Sequence, residues 1–175
     1  MQQHNTSACV NVLLGISKDL AQRTSIQKTL EEICDHVERY FSPKHLAFLL
    51  VEPGTGELAF NIVMGHLKEQ IEGRKLRKGK GIAGWVAESG DPLLIEDTSL
   101  DPRFTSQFLT SKTKGSKSIM AVPLKSNDVV YGILEIFDRS TGENFCQEDL
   151  LDLMAIADVT AIAIERAYYY QAMRR

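Results

Sequence analysis

The chain has 175 residues, of which 43% are hydrophobic and 25% charged, as is typical of one globular domain. Its formal net charge of −3 provides no overall field that attracts nucleic acid or an anionic membrane, so neither a nucleic-acid partner nor direct membrane insertion is expected. Its three cysteines are far apart, which excludes a disulfide framework and favours the cytoplasm. No apolar run approaches the roughly 20 residues of a membrane span.

Two helices are predicted at the start of the chain. Apolar residues at helical spacing indicate a first helix over about residues 8–22. Thr24 followed by Gln27 matches a capping box, which predicts that the second helix begins there. The apolar stripe of this second helix comprises Leu30, Ile33, Cys34, Val37, Tyr40 and Phe41.

Short strands and turn-forming residues alternate in the middle of the chain. Strands are predicted over about residues 44–52, 57–66, 74–78 and 92–97. The turn Pro53-Gly54-Thr55-Gly56 joins the first two strands as a hairpin. Residues 79–84 lead into a short helix that ends near Gly90, a natural helix stop.

A long polar segment precedes the C-terminal elements. Residues 98–117 are rich in Ser, Thr and Lys, and irregular segments of this length often act as lids or binding loops. Strands over about 118–125 and 129–138 are predicted to pair across the turn Ser126-Asn127-Asp128. The last helix is predicted to run from about Gln147 to Tyr170.

The segment Gly79-Lys80-Gly81-Ile82-Ala83-Gly84 has the glycine spacing of a dinucleotide-binding loop. A dinucleotide site needs a buried apolar strand before the loop, and Arg74-Lys75-Leu76-Arg77-Lys78 is too basic to be one. Two interpretations remain open. The glycines make a tight strand-to-helix turn, or the helix N-terminus and the nearby basic residues bind an anion.

The sequence contains no recognisable catalytic or metal-binding constellation. Its four histidines share no ligand spacing with one another or with a cysteine, so no metal site is predicted. Cys34 falls on an apolar helical stripe and is expected to be a small buried hydrophobe. Cys146 stands at a helix start, where the helix dipole lowers thiol pKa values, but no neighbouring His or Cys supports a redox role. The chain is therefore not expected to be an enzyme.

Several segments in chain order resemble one known family. They are residues 46–56, 79–87, 94–97, 101–104, 118–123, 132–137 and 145–167. Together they resemble a GAF domain, the small-molecule-sensing module of cyclic-nucleotide phosphodiesterases, phytochromes and many bacterial signalling proteins. The resemblance covers about residues 8–170.

The resemblance implies an α+β fold with a six-stranded antiparallel sheet. The terminal helices would cover one face, and short helices and loops would enclose a pocket on the other. The predicted hairpins independently favour an antiparallel sheet. Residues 8–170 are expected to form a single GAF-like domain, with a disordered or tag-like N-terminus at 1–7 and a helical continuation toward an effector domain at 171–175.

Glu135 is the first candidate for ligand binding. Alternation along the 129–138 strand places it on one face with Ile133 and Phe137. A carboxylate among apolar neighbours needs a partner or a raised pKa. That partner is either a ligand, or a basic residue or solvent.

The other candidate ligand contacts lie before this strand. Trp85 either stacks on a ligand or belongs to the core. Asp97 and Thr98 either contact a ligand or cap the turn where the chain leaves a strand. Phe104 and Phe108 either close the polar loop over the pocket or make ordinary packing contacts. The remaining candidate pocket walls are Phe48, Phe60, Ile95, Ile119 and Ala121, and strand phase does not decide which of them face a ligand.

The resemblance does not identify the ligand. Cyclic-nucleotide-binding members carry an Asn-Lys pair, then a Phe, then an Asp-Glu pair. The corresponding residues of this chain are Asp138-Arg139, Phe145 and Asp149-Leu150, of which only Phe145 and Asp149 match. Bilin-binding members attach the chromophore through a cysteine, and residues 60–130 contain none, while nothing around Cys9 supports attachment. A cyclic nucleotide and a covalent bilin are both disfavoured, and the cofactor is unknown.

The last helix is apolar on nearly every side and needs more than one packing partner. Its apolar sides either bury within one monomer or form a parallel homodimer through the first and last helices, which we favour. We expect a regulatory sensory domain of a signal-transduction protein, which binds a small molecule and signals through dimeric terminal helices. The alternatives are a ligand-free dimerisation module and a thiol-dependent reductase like the free methionine sulfoxide reductases of this fold, which the cysteine spacing does not support.

Overall fold

The computed structural model describes residues 6–20, 25–65, 68–101 and 118–173. The helices are α1 (Thr6–Leu20), α2 (Ile26–Phe41), α3 (Lys68–Ile71), α4 (Gly81–Ser89) and α5 (Gln147–Ala172). The strands are β1 (Pro43–Val51), β2 (Leu58–Met64), β3 (Lys75–Leu76), β4 (Leu93–Ile95), β5 (Ile119–Ser126) and β6 (Val129–Arg139), and a 3-10 helix spans Thr98–Leu100. The predicted order of elements is confirmed, except that α3 was not predicted.

The six strands form one sheet in the order β3-β2-β1-β6-β5-β4, and every neighbouring pair is antiparallel. This confirms the predicted α+β class. The predicted turn between β5 and β6 is present, and Asn127 and Asp128 both have positive φ, 48° and 63°. Two consecutive residues of this kind match the right-handed twist of a tight hairpin.

The helices α1, α2 and α5 lie on one face of the sheet, as expected. Here α2 is amphipathic, and its stripe of Leu30, Ile33, Cys34, Val37 and Phe41 is buried. The buried side of α5 is formed by Leu150, Leu153, Ile156, Ala157, Ala161 and Ile164. Together with the sheet residues beneath them, these side chains form what we call the helix-side cluster.

Hydrogen bonds fix both ends of α2. The side chain of Ser25 accepts a bond of 3.3 Å from the Lys28 N–H, so the N-cap is Ser25. The predicted cap was Thr24, which lies outside the described residues. At the other end Ser42 is left-handed, and its N–H donates to the Glu38 carbonyl at 2.9 Å, which turns the chain directly into β1.

The opposite face of the sheet is covered by α4 and the short elements around it. Buried residues of α3, α4 and all six strands meet there in a second apolar cluster, which we call the α4-side cluster. Its buried members on α4 are Ile82, Ala83, Val86 and Ala87. No helix in the described ranges is long and apolar enough to cross a membrane.

Candidate functional site

Glu135 lies in the middle of the α4-side face. Alternation along β6 places Ile133 and Phe137 in the α4-side cluster and Leu134 and Ile136 in the helix-side cluster, which confirms the predicted phase. The Glu135 side chain is only 5% exposed. A carboxyl group at that depth is costly to ionise unless the protein supplies a partner.

The two residues that flank Glu135 are alanines. The sheet register pairs Glu135 with Ala47 on β1 and with Ala121 on β5. Both alanines are buried members of the α4-side cluster. Because their side chains are short, the longer Glu135 side chain extends above its neighbours and reaches α4.

A backbone group of α4 provides a partner for Glu135. The Ala83 N–H, in the first turn of α4, donates a hydrogen bond to the Glu135 carboxylate. The helix needs such an acceptor, because the side chain of its N-cap residue, Lys80, makes no capping bond. Glu135 thus caps α4 from the sheet, a contact that was not predicted, and its contact with a ligand stays a prediction.

Burial determines the ionisation of Glu135. Desolvation raises the pKa of this carboxyl to about 7, and the bond from the Ala83 N–H only partly offsets the increase. No lysine or arginine is among the buried residues that the structure describes. The other buried ionisable side chain on this face is His45, whose ring packs against Phe137 at a centroid distance of 6.4 Å.

The glycine-rich segment before α4 forms a tight turn. Gly79 and Gly81 have positive φ, 75° and 64°, which favours glycine at both positions. A Cβ on Gly84 would lie 2.7 Å from the Arg77 carbonyl oxygen, so this position also requires a very small residue. The preceding strand, β3, has two residues and is antiparallel, which excludes the parallel strand of a dinucleotide site.

The anion-site interpretation meets a competing internal anion. Glu135 already accepts the Ala83 N–H at the α4 N-terminus. The basic residues nearby are exposed, and two of them contact glutamates: Lys75 pairs with Glu52 at 2.7 Å and Arg77 with Glu57 at 3.9 Å. The geometry therefore favours the tight turn over an external anion.

Most of the predicted wall residues lie on the α4-side face. The buried ones are Phe60, Ile95, Ile119 and Ala121, and Trp85 is partly buried against the same cluster. Phe48 belongs to the helix-side cluster instead. Its inclusion among the pocket walls is wrong, because β1 is apolar on both faces and only its pairing with Leu134 reveals the direction of Phe48.

Asp97 and Thr98 lie just beyond β4. Asp97 is exposed and Thr98 is buried. The Asp97 carbonyl accepts the Leu100 N–H at 3.3 Å, and the Thr98 carbonyl accepts the Asp101 N–H at 3.4 Å, so both residues belong to the turn that begins there. Phe104 and Phe108 lie outside the described residues.

The positions that match the cyclic-nucleotide motif lie at the start of α5. Arg139 donates to the carboxylate of Asp149 and lies 5.1 Å from the centre of the Phe145 ring. Asp149 also accepts the Cys146 N–H at 2.8 Å. Burial opposes ionisation of Asp149, but these hydrogen bonds outweigh it and keep the pKa of Asp149 below its ordinary value. These residues fasten β6 to α5 and do not belong to the α4-side cluster.

The three cysteines are separated from the α4-side cluster. Cys9 on α1 is buried, Cys34 belongs to the helix-side cluster, and Cys146 is exposed just before α5. Burial raises the pKa of all three thiols, most strongly at Cys34. Within the described ranges, no group of three His, Cys, Asp or Glu residues could hold a metal ion.

An open groove of about 420 Å³ lies where Gly90, the C-cap of α4, and the β5–β6 turn approach α5. It is lined by Gly90, Pro92, Pro123, Lys125, Asn127, Asp128, Met154 and Asp158. Lys125 and Asp128 pair with each other at 3.4 Å, and Asp128 is almost fully exposed. The groove lacks a buried polar side chain, and we therefore place the candidate site around Glu135.

Sequence reasoning missed two contributors to this site. Ala47 was not singled out, because its position beside Glu135 depends on the register between β1 and β6. The Ala83 N–H was missed because a backbone donor leaves no mark on residue type. The glycine turn was the available signal, since it predicted a helix N-terminus close to the sheet.

Comparison with known proteins identifies the family. A family model described as GAF domain matches residues 25–164. Similar curated proteins include a probable 3',5'-cyclic phosphodiesterase, pde-5, of Caenorhabditis elegans, 23% identical over 176 residues that cover 94% of this chain and 24% of the relative. The Nif-specific regulatory protein of Herbaspirillum seropedicae is 25% identical over 124 residues, which cover 70% of this chain and 23% of the relative. The chain spans about a quarter of the length of these relatives.

Solved structures share the fold. The GAF domain of a phosphoenolpyruvate-protein phosphotransferase from Coxiella burnetii superposes with a TM-score of 0.81 at 18% identity, covering 96% of this chain and 99% of that one. The free methionine-R-sulfoxide reductase of Neisseria meningitidis, solved in complex with its substrate, gives a TM-score of 0.78 at 20% identity and covers 96% of both chains. At such identities the similarity concerns the fold alone.

Proposed function

The chain belongs to the GAF domain family, and we propose that it is a regulatory sensory domain that binds a small molecule on the α4-side face. Its relatives include a cyclic phosphodiesterase and a regulatory protein, of which it would form one module. The ligand is unidentified.

The observation that carries this proposal is the buried carboxyl of Glu135. The opposite face of the sheet is filled by apolar side chains under three long helices. The α4-side face instead holds an ionisable group between two alanines, beneath the nine-residue helix α4. A few polar groups within a mainly apolar surface are typical of small-molecule sites. A ligand that bonds to Glu135 would compete with the Ala83 N–H and thereby change the position of α4.

We include a homodimer through α1 and α5 in the proposal. Val10 and Leu14 on α1 are large apolar residues that remain exposed, and Leu151 and Ile162 on α5 are exposed as well. Exposed apolar residues gathered on neighbouring helices favour an interface. The two helices pack against each other, so a shift in one would be transmitted to the other.

The proposed function requires no catalysis. The reductase alternative receives support from the fold of the Neisseria meningitidis enzyme. Against it, no cysteine of this chain belongs to the α4-side cluster, and burial raises the pKa of each thiol, which disfavours the reactive thiolate. Reduction of free methionine sulfoxide to methionine, with an added dithiol as the electron donor, that is lost when the three cysteines become serines would establish the reductase instead.

Native mass spectrometry tests the sensory function against the ligand-free dimerisation module. The purified chain is weighed under native conditions and again after denaturation. We expect a small molecule that leaves on denaturation. A chain that is empty from every expression host, and that gains no mass with cyclic AMP or cyclic GMP, would favour the dimerisation module.

A further inference from the structure

One stripe of α5 lies opposite the buried side of the helix, and one of its members, Asp158, also lines the groove beside β5. The stripe consists of residues spaced three or four apart, Leu151, Ala155, Asp158, Ile162, Arg166, Tyr169 and Met173. This spacing keeps all seven on one side of the helix, opposite its buried side. Its large apolar members, Leu151, Ile162, Tyr169 and Met173, are each more than half exposed.

The stripe is complementary to itself when two copies run antiparallel. If the two Ile162 side chains meet on a two-fold axis, Asp158 of each copy lies opposite Arg166 of the other. One turn further out, the small Ala155 lies opposite the large Tyr169. At the ends, Leu151 lies opposite Met173. Every position thus meets a partner of opposite charge, complementary size or shared apolar character.

Parallel pairing of the same stripe gives poorer contacts. It would place Asp158 against Asp158 and Arg166 against Arg166, and like charges at facing positions are destabilising. It would also place Tyr169 against Tyr169 while two alanines meet at position 155. A packed helix interface favours large residues against small ones, so this arrangement leaves both a crowded and an empty layer.

We propose that a second copy of this chain packs on the stripe in antiparallel orientation, centred on Ile162. This inference rests on the homodimer in the proposed function and specifies its geometry. It differs from the parallel pairing expected from the sequence. A closed two-fold interface of this kind uses the same surface on both copies, so it forms a dimer and not a filament.

The native Cys146 allows a direct measurement of the orientation. This thiol is exposed just before α5, while Cys9 and Cys34 are buried, so a nitroxide label will attach mainly at Cys146. At about 1.5 Å per residue, antiparallel helices centred on Ile162 place the two labels about 48 Å apart along the axis. Parallel helices packed at about 8–10 Å would keep them within about 25 Å, including the reach of the labels.

Each result of double electron–electron resonance on the labelled chain is informative. A distance near 48 Å supports the proposal. A dimer with a short distance overturns the antiparallel orientation but leaves the proposed homodimer standing. A monomer at high concentration overturns both, while small-molecule binding is judged separately by native mass spectrometry.

Charge reversal provides an independent test by sedimentation equilibrium. In the antiparallel dimer, the side chain introduced by Asp158→Arg lies opposite Arg166 of the other copy, and the two-fold axis repeats this contact. The side chain introduced by Arg166→Asp lies opposite Asp158 of the other copy in the same two places. We expect each single variant to raise the dimer dissociation constant about tenfold, since two exposed ion pairs become two repulsions. The double variant restores both pairs and should dimerise like the original chain. If the double variant is as weak as the single variants, or if all four proteins dimerise equally, the antiparallel pairing is refuted.

Discussion

The replacement Glu135→Gln tests whether the buried carboxyl on the α4-side face titrates as its surroundings require. Glutamine keeps the length of the side chain and a carbonyl oxygen that can accept the Ala83 N–H, but it does not ionise. In the native chain, burial raises the pKa of Glu135 from its ordinary value of 4.5 to about 7. Between these pH values the folded state binds a proton that the unfolded state has released.

The sign of the effect follows from this difference. Because the folded state holds more protons between pH 4.5 and 7, the free energy of unfolding falls as the pH rises through this range. At about 1.4 kcal/mol per pKa unit, the loss is about 3 kcal/mol by pH 8. Glu135→Gln removes this loss, so the variant should match the native chain near pH 4.5 and exceed its stability by up to about 3 kcal/mol at pH 8.

Urea unfolding at pH 5, 6, 7 and 8 measures the difference directly. Glu69→Gln on α3 is the matched control, because Glu69 is exposed. Its stability should follow the native curve at every pH. If the free energies of unfolding of Glu135→Gln and of the native chain change in parallel with pH, Glu135 does not hold a proton in the folded state between pH 4.5 and 7. The description of a buried titrating group on this face is then refuted.

Three further substitutions test the surrounding structure. Asp149→Asn leaves the partly buried Arg139 without its counter-ion and should cost about 2–3 kcal/mol at pH 7 by urea unfolding. The pKa of Asp149 is lowered in the folded state, so the ionised carboxylate stabilises the fold above about pH 4, and this stabilisation is lost as the pH falls further. If the free energy of unfolding of Asp149→Asn falls with acid in the same way as that of the native chain, this account is contradicted. Gly84→Ala places a Cβ 2.7 Å from the Arg77 carbonyl, so we expect a loss of about 1–3 kcal/mol and faster hydrogen exchange in α4, whereas unchanged exchange would refute the close approach. Phe48→Ala opens a cavity in the helix-side cluster and should cost about 3–5 kcal/mol in thermal unfolding without changing ligand retention, while a loss of ligand with intact stability would move Phe48 back to the site.

Local periodicity predicted the phase of β6 and the hairpin at its start. Ile133, Glu135 and Phe137 alternate with Leu134 and Ile136, and one face of a strand follows directly from a period of two. The turn at Asn127 and Asp128 was predicted from residue types that tolerate positive φ. These features depend on neighbours in the chain, so one sequence was sufficient.

Features that depend on distant residues could not be predicted. The run from Leu46 to Val51 is apolar without alternation, so the direction of Phe48 requires the register with β6. The partner of Glu135 is a backbone N–H on a helix more than 45 residues earlier in the chain. The N-cap of α2 shifted by one residue, from Thr24 to Ser25, because both side chains can cap and only the geometry decides between them.

The α4-side face can be tested as the ligand site with two neighbouring residues of β5. Ala121→Val adds bulk beside Glu135, and Val122→Ile adds bulk on the opposite face of the same strand. Native mass spectrometry of both variants, with circular dichroism to confirm folding, measures the retained small molecule. If the site is beside Glu135, folded Ala121→Val loses the retained mass and Val122→Ile keeps it. Equal retention by both variants, or loss only in Val122→Ile, would contradict a binding site on the α4-side face.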